Sequence, residues 1–370
     1  MRRRTWLASG LLAGLGTRLA ESHRVEPRPD AQAEGGAADA ALRFPIDFGA
    51  HPRQRTEWWY ATGSLDAGPR RFGFQITFFR AATPVAADHP SRFAASQIVF
   101  AHAALTDLEQ RRLRHDEAIA RSGFGVAEAA TGETRVKLHG WTLSRSGAVD
   151  RSRYAVHVPE GAERFGFDLQ LEATQPLLLQ GLAGVSRKGP RPEQVSRYYS
   201  QPQLAVSGAL MLDDRRLAVE GKAWFDHEWS DAYLAAEAVG WDWIGMNLDD
   251  GSALMAFRIR RRDGTTYYAG GSFRRPGQPA RNFEPAEIQF VAGRRWSSTA
   301  SKASYPVEWT VSTPVGRYAV RALLDDQELD SRRSTGAIYW EGLSELLNDA
   351  GRRIGRGYLE MTGYAGALAM

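Results

Sequence analysis

Three stretches of this chain mix tryptophan with acids and an imidazole. They are Glu57-Trp58-Trp59-Tyr60, Trp224-Phe225-Asp226-His227-Glu228-Trp229 and Trp241-Asp242-Trp243. A buried indole needs a partner for its N–H, so such clustering is unusual for plain core. Aromatic walls with a few polar groups are the usual composition of a ligand pocket. A carboxylic acid desolvated among indoles keeps its proton toward neutral pH and can then protonate a substrate. Indole faces stabilise a developing cation by about 2 kcal/mol when desolvated. Acid plus indoles therefore suits protonation of an alkene, followed by addition of water or ring closure. The candidate proton donors are Asp226 and Asp242, with His227 orienting water or the acid. Trp58, Trp59, Tyr60, Tyr199, Trp224, Trp229, Trp241 and Trp243 are the candidate lining. The competing reading is that these aromatics plug a barrel and the carboxylates form salt bridges.

Strands must position these groups. After residue 42 apolar residues recur with period two: Phe72, Phe74, Ile76 and Phe78; Phe165, Phe167, Leu169 and Leu171; Leu217, Val219, Gly221 and Ala223; Met255, Phe257 and Ile259. Turn signals such as Asp66-Ala67-Gly68, Asp213-Asp214, Asp249-Asp250-Gly251 and Asp263-Gly264 separate the runs. Many strands without a βαβ rhythm predict an all-β barrel or sandwich, with short helical pieces near Ala232–Ala238 and Ser344–Asp349. Alternation also restricts the site. His227 and Trp229 share one face and Asp226 and Glu228 the other, so either the imidazole or the carboxylates enter a cavity unless a bulge intervenes. In the third cluster the two indoles face one way and Asp242 the other.

An internal echo supports duplication. Trp58, Leu65, Asp66, Gly68, Phe74 and Ile76 match Trp241, Leu248, Asp249, Gly251, Phe257 and Ile259 at a constant offset, and Tyr60 matches Trp243. This reads as one hairpin opening each of two similar domains, here 42–225 and 226–370. Arg2-Arg3-Arg4, the apolar run Trp6–Leu15 and small residues near Ala20 follow signal-peptide order and resemble a twin-arginine (Tat) signal over residues 1–20. The run is too short for a membrane span. Residues 21–41 read as a linker. Export places the protein in the periplasm or outside the cell.

Composition removes other chemistries. The 370 residues are 43% apolar with net charge +4, and no basic stripe interleaves with aromatics, so nucleic acid is not an expected partner. The absence of cysteine excludes disulfides, thiolate metal sites and a thiol nucleophile. The eight histidines show no i, i+4 pair, so no metal is expected. There is no G-x-S-x-G elbow, and Gly181-Leu-Ala-Gly-Val185 is not a dinucleotide fingerprint. No cofactor is expected. Ser200 reads as a strand or pocket-mouth residue rather than a nucleophile.

Several ordered blocks carry a family resemblance: Phe44-Pro-Ile-Asp-Phe-Gly-Ala-His-Pro52 leading into Glu57–Leu65, Tyr198–Pro202, Gly221–Ser230, Gly240–Ile244 and Gly357–Tyr364. Over about residues 42–366 the chain resembles the AttH-like / carotenoid 1,2-hydratase family of lipocalin-like proteins. The resemblance implies two lipocalin-like domains with a site in an aromatic cavity. It carries His227 and Trp229 over from the Asp-His-x-Trp block, followed by Asp226 and Trp241-Asp242-Trp243. It implies a hydro-lyase acting on an apolar unsaturated substrate. The alternatives are a non-catalytic periplasmic carrier of a small apolar or lipid-like ligand, working with an ABC transporter, and a secreted hydrolase.

Overall fold

The computed structural model describes residues 41–232 and 234–368. The expected signal segment, and all but the last residue of the expected linker, lie outside them. Two large antiparallel sheets make up the described chain, of thirteen and ten strands, with one two-stranded ribbon beside them. The first uses strands between Thr56 and Ser230, the second strands between Ala238 and Met361. The architecture is all-β and lipocalin-like, as expected. Among the described residues no helix is long and apolar enough to cross a membrane.

Nine strands surround the central cavity. In chain order they are β1 (Thr56–Ala67), β2 (Arg70–Ala82), β3 (Gln97–Asp107), β4 (Arg112–Arg121), β5 (Val195–Leu212), β6 (Arg215–Ser230), β7 (Ala238–Leu248), β8 (Ala337–Leu347) and β9 (Arg353–Met361). The two echoed stretches are equivalent hairpins. β1 pairs with β2 and also with β6, which joins the first four strands to the later strands of that sheet. β7 pairs with Ala253–Arg261 and also with β9, which makes the same junction in the second sheet. Gly68 and Gly251 sit in the turns of these hairpins at φ +60° and +83°, a conformation that glycine adopts without steric cost. Asp213 and Asp214 join β5 to β6 with both φ positive, the twist that a two-residue hairpin loop requires. The change of sheet falls between Ser230 and Ala238, so Asp226–Ser230 lie in the first sheet.

The expected helical pieces are not helices. Ser344–Leu347 complete β8, where Ser344 pairs with Gly357 and Leu346 with Gly355. Cross-strand pairing and burial override a local preference there. Residues 234–237 form bends and turns before β7 begins at Ala238.

Period-two patterning sorts the side chains. Trp59, Ala61, Leu65, Phe72, Phe74, Ile76 and Phe78 point into the first sheet's own core, with Phe167, Leu169 and Leu171. Each such aromatic or aliphatic side chain is worth about 1.5–3 kcal/mol on burial. The opposite face of the same strands presents Tyr60, Tyr198 and Trp224 to Trp243, Met255, Phe257, Leu343 and Tyr358 of the second sheet. The two sheets thus meet through an aromatic layer of their own.

Candidate functional site

The cavity, about 360 Å³, lies between the sheets. Strand register builds its wall in rows. Across the first sheet, Ser200, Asp226, Tyr60, Thr77, His102 and Glu117 stand side by side on β5, β6, β1, β2, β3 and β4. A second row on the same strands is Tyr198, Glu228, Trp58, Phe79, Phe100 and Ile119. Across the second sheet, Trp243, Glu360 and Glu341 are neighbours on β7, β9 and β8. Tyr60 meets Trp243 edge-on at 5.5 Å between ring centroids, which ties the two walls together.

Asp226 is the most heavily solvated-by-protein acid of this wall. Its carboxyl accepts hydrogen bonds from the Tyr198 hydroxyl (2.8 Å), the Ser200 hydroxyl (2.5 Å) and the Trp224 indole N–H (2.7 Å). The Trp243 N–H in turn donates to the Tyr198 oxygen at 3.3 Å. Burial disfavours the anion and outweighs these donors, and the nearby Glu228 charge adds to it. The Asp226 carboxyl is pushed up to about 7. Two residues along, Glu228 is ion-paired to Lys188 at 2.7 Å.

Two further acids face the cavity from the second sheet, and neither was a candidate from sequence. Glu341 and Glu360 are direct cross-strand partners. Burial, with the charges of Asp226 and Glu228, pushes Glu360 up to about 8, against a hydrogen bond with Trp241. Burial and the Glu360 charge hold Glu341 well above the carboxylate range. Glu341 Oε1 and the Tyr60 hydroxyl are buried against each other, where Tyr60 partly offsets the effect of burial on the Glu341 carboxyl, but neither atom makes a well-formed hydrogen bond. Glu360 lies inside the quoted Gly357–Tyr364 block, and Glu341 falls on the same alternating face as the buried Tyr339 and Leu343. An acid at a core-phase position was the available signal.

His102 closes the far end. Its Nδ1 contacts the Tyr339 hydroxyl (2.8 Å) and its Nε2 the Ser334 hydroxyl (2.9 Å). Burial, with the His115 charge, pushes its imidazole down to about 3, so it is neutral.

Of the sequence candidates, Asp226, Trp58, Tyr60, Trp241 and Trp243 line the cavity. Trp224 sits directly behind, fixing Asp226. The rest are on other faces. His227, Trp229, Trp59 and Tyr199 point into the first sheet's core, because alternation on β1, β5 and β6 turns them away from Asp226. There His227 Nε2 contacts Glu57 Oε1 at 2.9 Å and Nδ1 contacts the Tyr199 hydroxyl at 3.1 Å. Its ring stacks on Trp59 at 4.7 Å, and His51 stacks on Trp229 at 3.8 Å. Glu57 also receives His51 (2.7 Å) and the Arg80 guanidinium (2.7 Å). Burial opposes ionisation of Glu57, but hydrogen bonds and charge from His227 and His51 prevail and hold it well below the usual range. Burial likewise pushes His227 down to about 4. His51, Glu57 and His227 offer ligand atoms within 4.8 Å of one another, a convergence that their scattered positions hid. In this arrangement their hydrogen bonds to one another and to Arg80 satisfy the group.

Asp242 also lies away from the cavity. It is fully buried on the other face of β7, where Arg258 (2.7 Å), Arg260 (3.0 Å) and the Tyr364 hydroxyl (2.8 Å) hold it. Its place as a proton donor is therefore corrected to that of a buried ion-pair anchor. The reason is again parity: with Trp241 and Trp243 facing the first sheet, Asp242 cannot. Ser200 donates to Asp226 and accepts from Gln180, as befits a supporting polar residue.

A crystal structure of a candidate AttH protein from Nitrosomonas europaea is 46% identical, with a TM-score of 0.80, over 88% of this chain and 97% of that one. Kievitone hydratase from Nectria haematococca shares the fold at 15% identity, with a TM-score of 0.66, over 90% of this chain and 95% of that one. No curated protein matches the chain by sequence. Residues 36–364 match the AttH-like family, and this chain, with its lipocalin-like sheets, belongs to that family.

Proposed function

We propose that this protein is a hydro-lyase-type enzyme that adds water across a carbon–carbon double bond of an apolar unsaturated substrate, using its own carboxylic acids. The observation that carries the reading is Asp226, a carboxyl kept protonated near neutrality in the wall of an aromatic cavity. Its proton passes to one alkene carbon as the π bond breaks, leaving a carbocation and the Asp226 carboxylate. Trp58, Trp241 and Trp243 line the space where that charge forms, and an indole face stabilises a desolvated cation by about 2 kcal/mol. Water then forms the C–O bond, and its surplus proton returns to Asp226, so the acid is regenerated. Tyr198, Ser200 and Trp224 fix the carboxyl and stabilise the transient anion with three donors. The fold shared with kievitone hydratase supports this reaction class. The Tat-like N-terminus supports delivery to the periplasm, where an apolar substrate would come from the membrane.

The test is incubation of the purified protein with a panel of acyclic and prenylated alkenes in isotopically labelled water. The expected product is an alcohol carrying the label, lost in Asp226→Asn and retained in Asp242→Asn. Absence of turnover by the wild type across the panel, or full activity of Asp226→Asn, overturns the proposal.

A further inference from the structure

The cavity wall carries more acid than one protonation step uses. Asp226, Glu228, Glu341 and Glu360 all contribute to it. Glu228 shows how this protein stabilises such a group. The Lys188 ammonium lies 2.7 Å from its carboxylate and sits over the Tyr198 and Phe257 rings, at 4.9 Å and 4.5 Å from their centroids. Among the described residues no lysine or arginine pairs with Asp226, Glu341 or Glu360. Glu341 is 2% exposed, and its Oε1 makes no well-formed hydrogen bond. The Tyr60 hydroxyl beside it is its one polar neighbour there, and the two face each other without a well-formed hydrogen bond. Burying polar atoms in this way costs free energy that an incoming group could recover.

We propose that the cavity is a binding site for lipophilic organic cations, with an alkylammonium head between Asp226, Glu341 and Glu360 and its positive charge against the rings of Tyr60, Trp241 and Trp243. This repeats for a guest what Lys188 does for Glu228. Aromatic faces with carboxylates are the chemistry that recognises ammonium groups. Such a guest is also a stable counterpart of the carbocation in the hydration reading, but its binding needs no turnover.

Binding is linked to protons. The ammonium favours the anionic acids, so their protons leave as it enters. Asp226 and Glu360, which burial and neighbouring carboxylates push up to about 7 and about 8, are the groups that release them. Their titratable neighbours are Glu228 in its Lys188 pair, Tyr198, Tyr60 and Glu341, with Tyr339 and the neutral His102 further along the wall and Arg55 at one end.

The experiment is calorimetric titration of the full chain at pH 7 with 4-phenylbutyltrimethylammonium, 4-phenylbutanol and 4-phenylbutanoate, in buffers of different ionisation enthalpy. The cation is expected to bind at least about tenfold more tightly than the alcohol and to release protons, with affinity rising from pH 6 to 8. The anion is expected to bind weakest. In Glu341→Gln and Asp226→Asn the advantage of the cation over the alcohol shrinks. Proton release by the wild type tests the same point without any variant. Equal or tighter binding of the alcohol, no detectable cation binding, or binding without proton release overturns the proposal. Hydration activity is read separately, so its failure does not decide this result.

Discussion

Replacing Asp226 by asparagine should stabilise the protein at alkaline pH while abolishing turnover. The folded carboxyl titrates at about 7 against a usual value of 3.8. A displacement of about three units, at 1.36 kcal/mol each, is worth about 4 kcal/mol. The sign follows from linkage. Below the usual value both folded and unfolded chains hold the proton, and the site contributes no pH dependence. As pH rises from there to about 7, the unfolded chain releases a proton that the folded chain retains, so stability falls. Above about 7 the penalty is complete. Asparagine has no such penalty. Its carbonyl can still accept from Ser200 and Trp224, but its amide cannot accept the Tyr198 hydroxyl, which loses about 1 kcal/mol. The net expectation is a gain of about 3 kcal/mol at pH 8.5, turning to a loss of about 1 kcal/mol at pH 4. Parallel thermal and urea unfolding of both proteins at the two pH values measures it. Turnover by the wild type should fall as pH rises through about 7, because the acid loses its proton. A variant that is less stable than the wild type by the same amount at both pH values would show that Asp226 is an ordinary ionised side chain, and the mechanism would go with it.

Other substitutions separate the faces of these strands. Glu57→Gln removes the anion shared by Arg80, His51 and His227, and should cost about 3–5 kcal/mol in urea unfolding at pH 7. Glu57 is depressed below its usual 4.5, so its contribution is present above that value and is lost as pH falls through the folded value; the gap between wild type and variant should narrow in acid. Asp242→Asn strips Arg258 and Arg260 of their partner and should destabilise by about 3 kcal/mol, yet leave the substrate KM unchanged in steady-state kinetics. Gly245→Ala would place a Cβ 2.3 Å from the Trp243 ring and 3.2 Å from that of Trp224, pushing Trp243 off the Tyr198 hydroxyl. Turnover should drop about tenfold, the equivalent of one hydrogen bond, with an altered tryptophan emission spectrum.

The strand Asp226-His227-Glu228-Trp229 explains why these outcomes differ. On its cavity side, Asp226 has donors but no cation, and burial pushes its carboxyl up to about 7. On its core side, His227 leans on an ionised Glu57 that a guanidinium and a second imidazole support. The proposed reaction uses the first environment, whereas the second holds the sheet's core together, although the residues are adjacent in sequence.

The sequence by itself determined the class of fold, the hairpin echo and the parity of the residues in its clearly alternating runs. Period two is a property of the extended backbone, so it is legible wherever one face is apolar. It separates His227 from Asp226 and Asp242 from Trp241 on sequence alone. What parity cannot say is which face meets the other sheet. That was decided by packing: the aromatic layer of Tyr60, Tyr198, Trp224 and Trp243 docks one sheet on the other and puts Asp226 in the cavity, leaving His227 and Asp242 behind in separate cores. Register across strands distant in sequence did the rest. It set Glu341 beside Glu360 and brought His51, Glu57 and His227 to one point. Such meetings depend on long-range pairing and on the burial that displaces the acids' proton affinities, neither of which is written in local sequence.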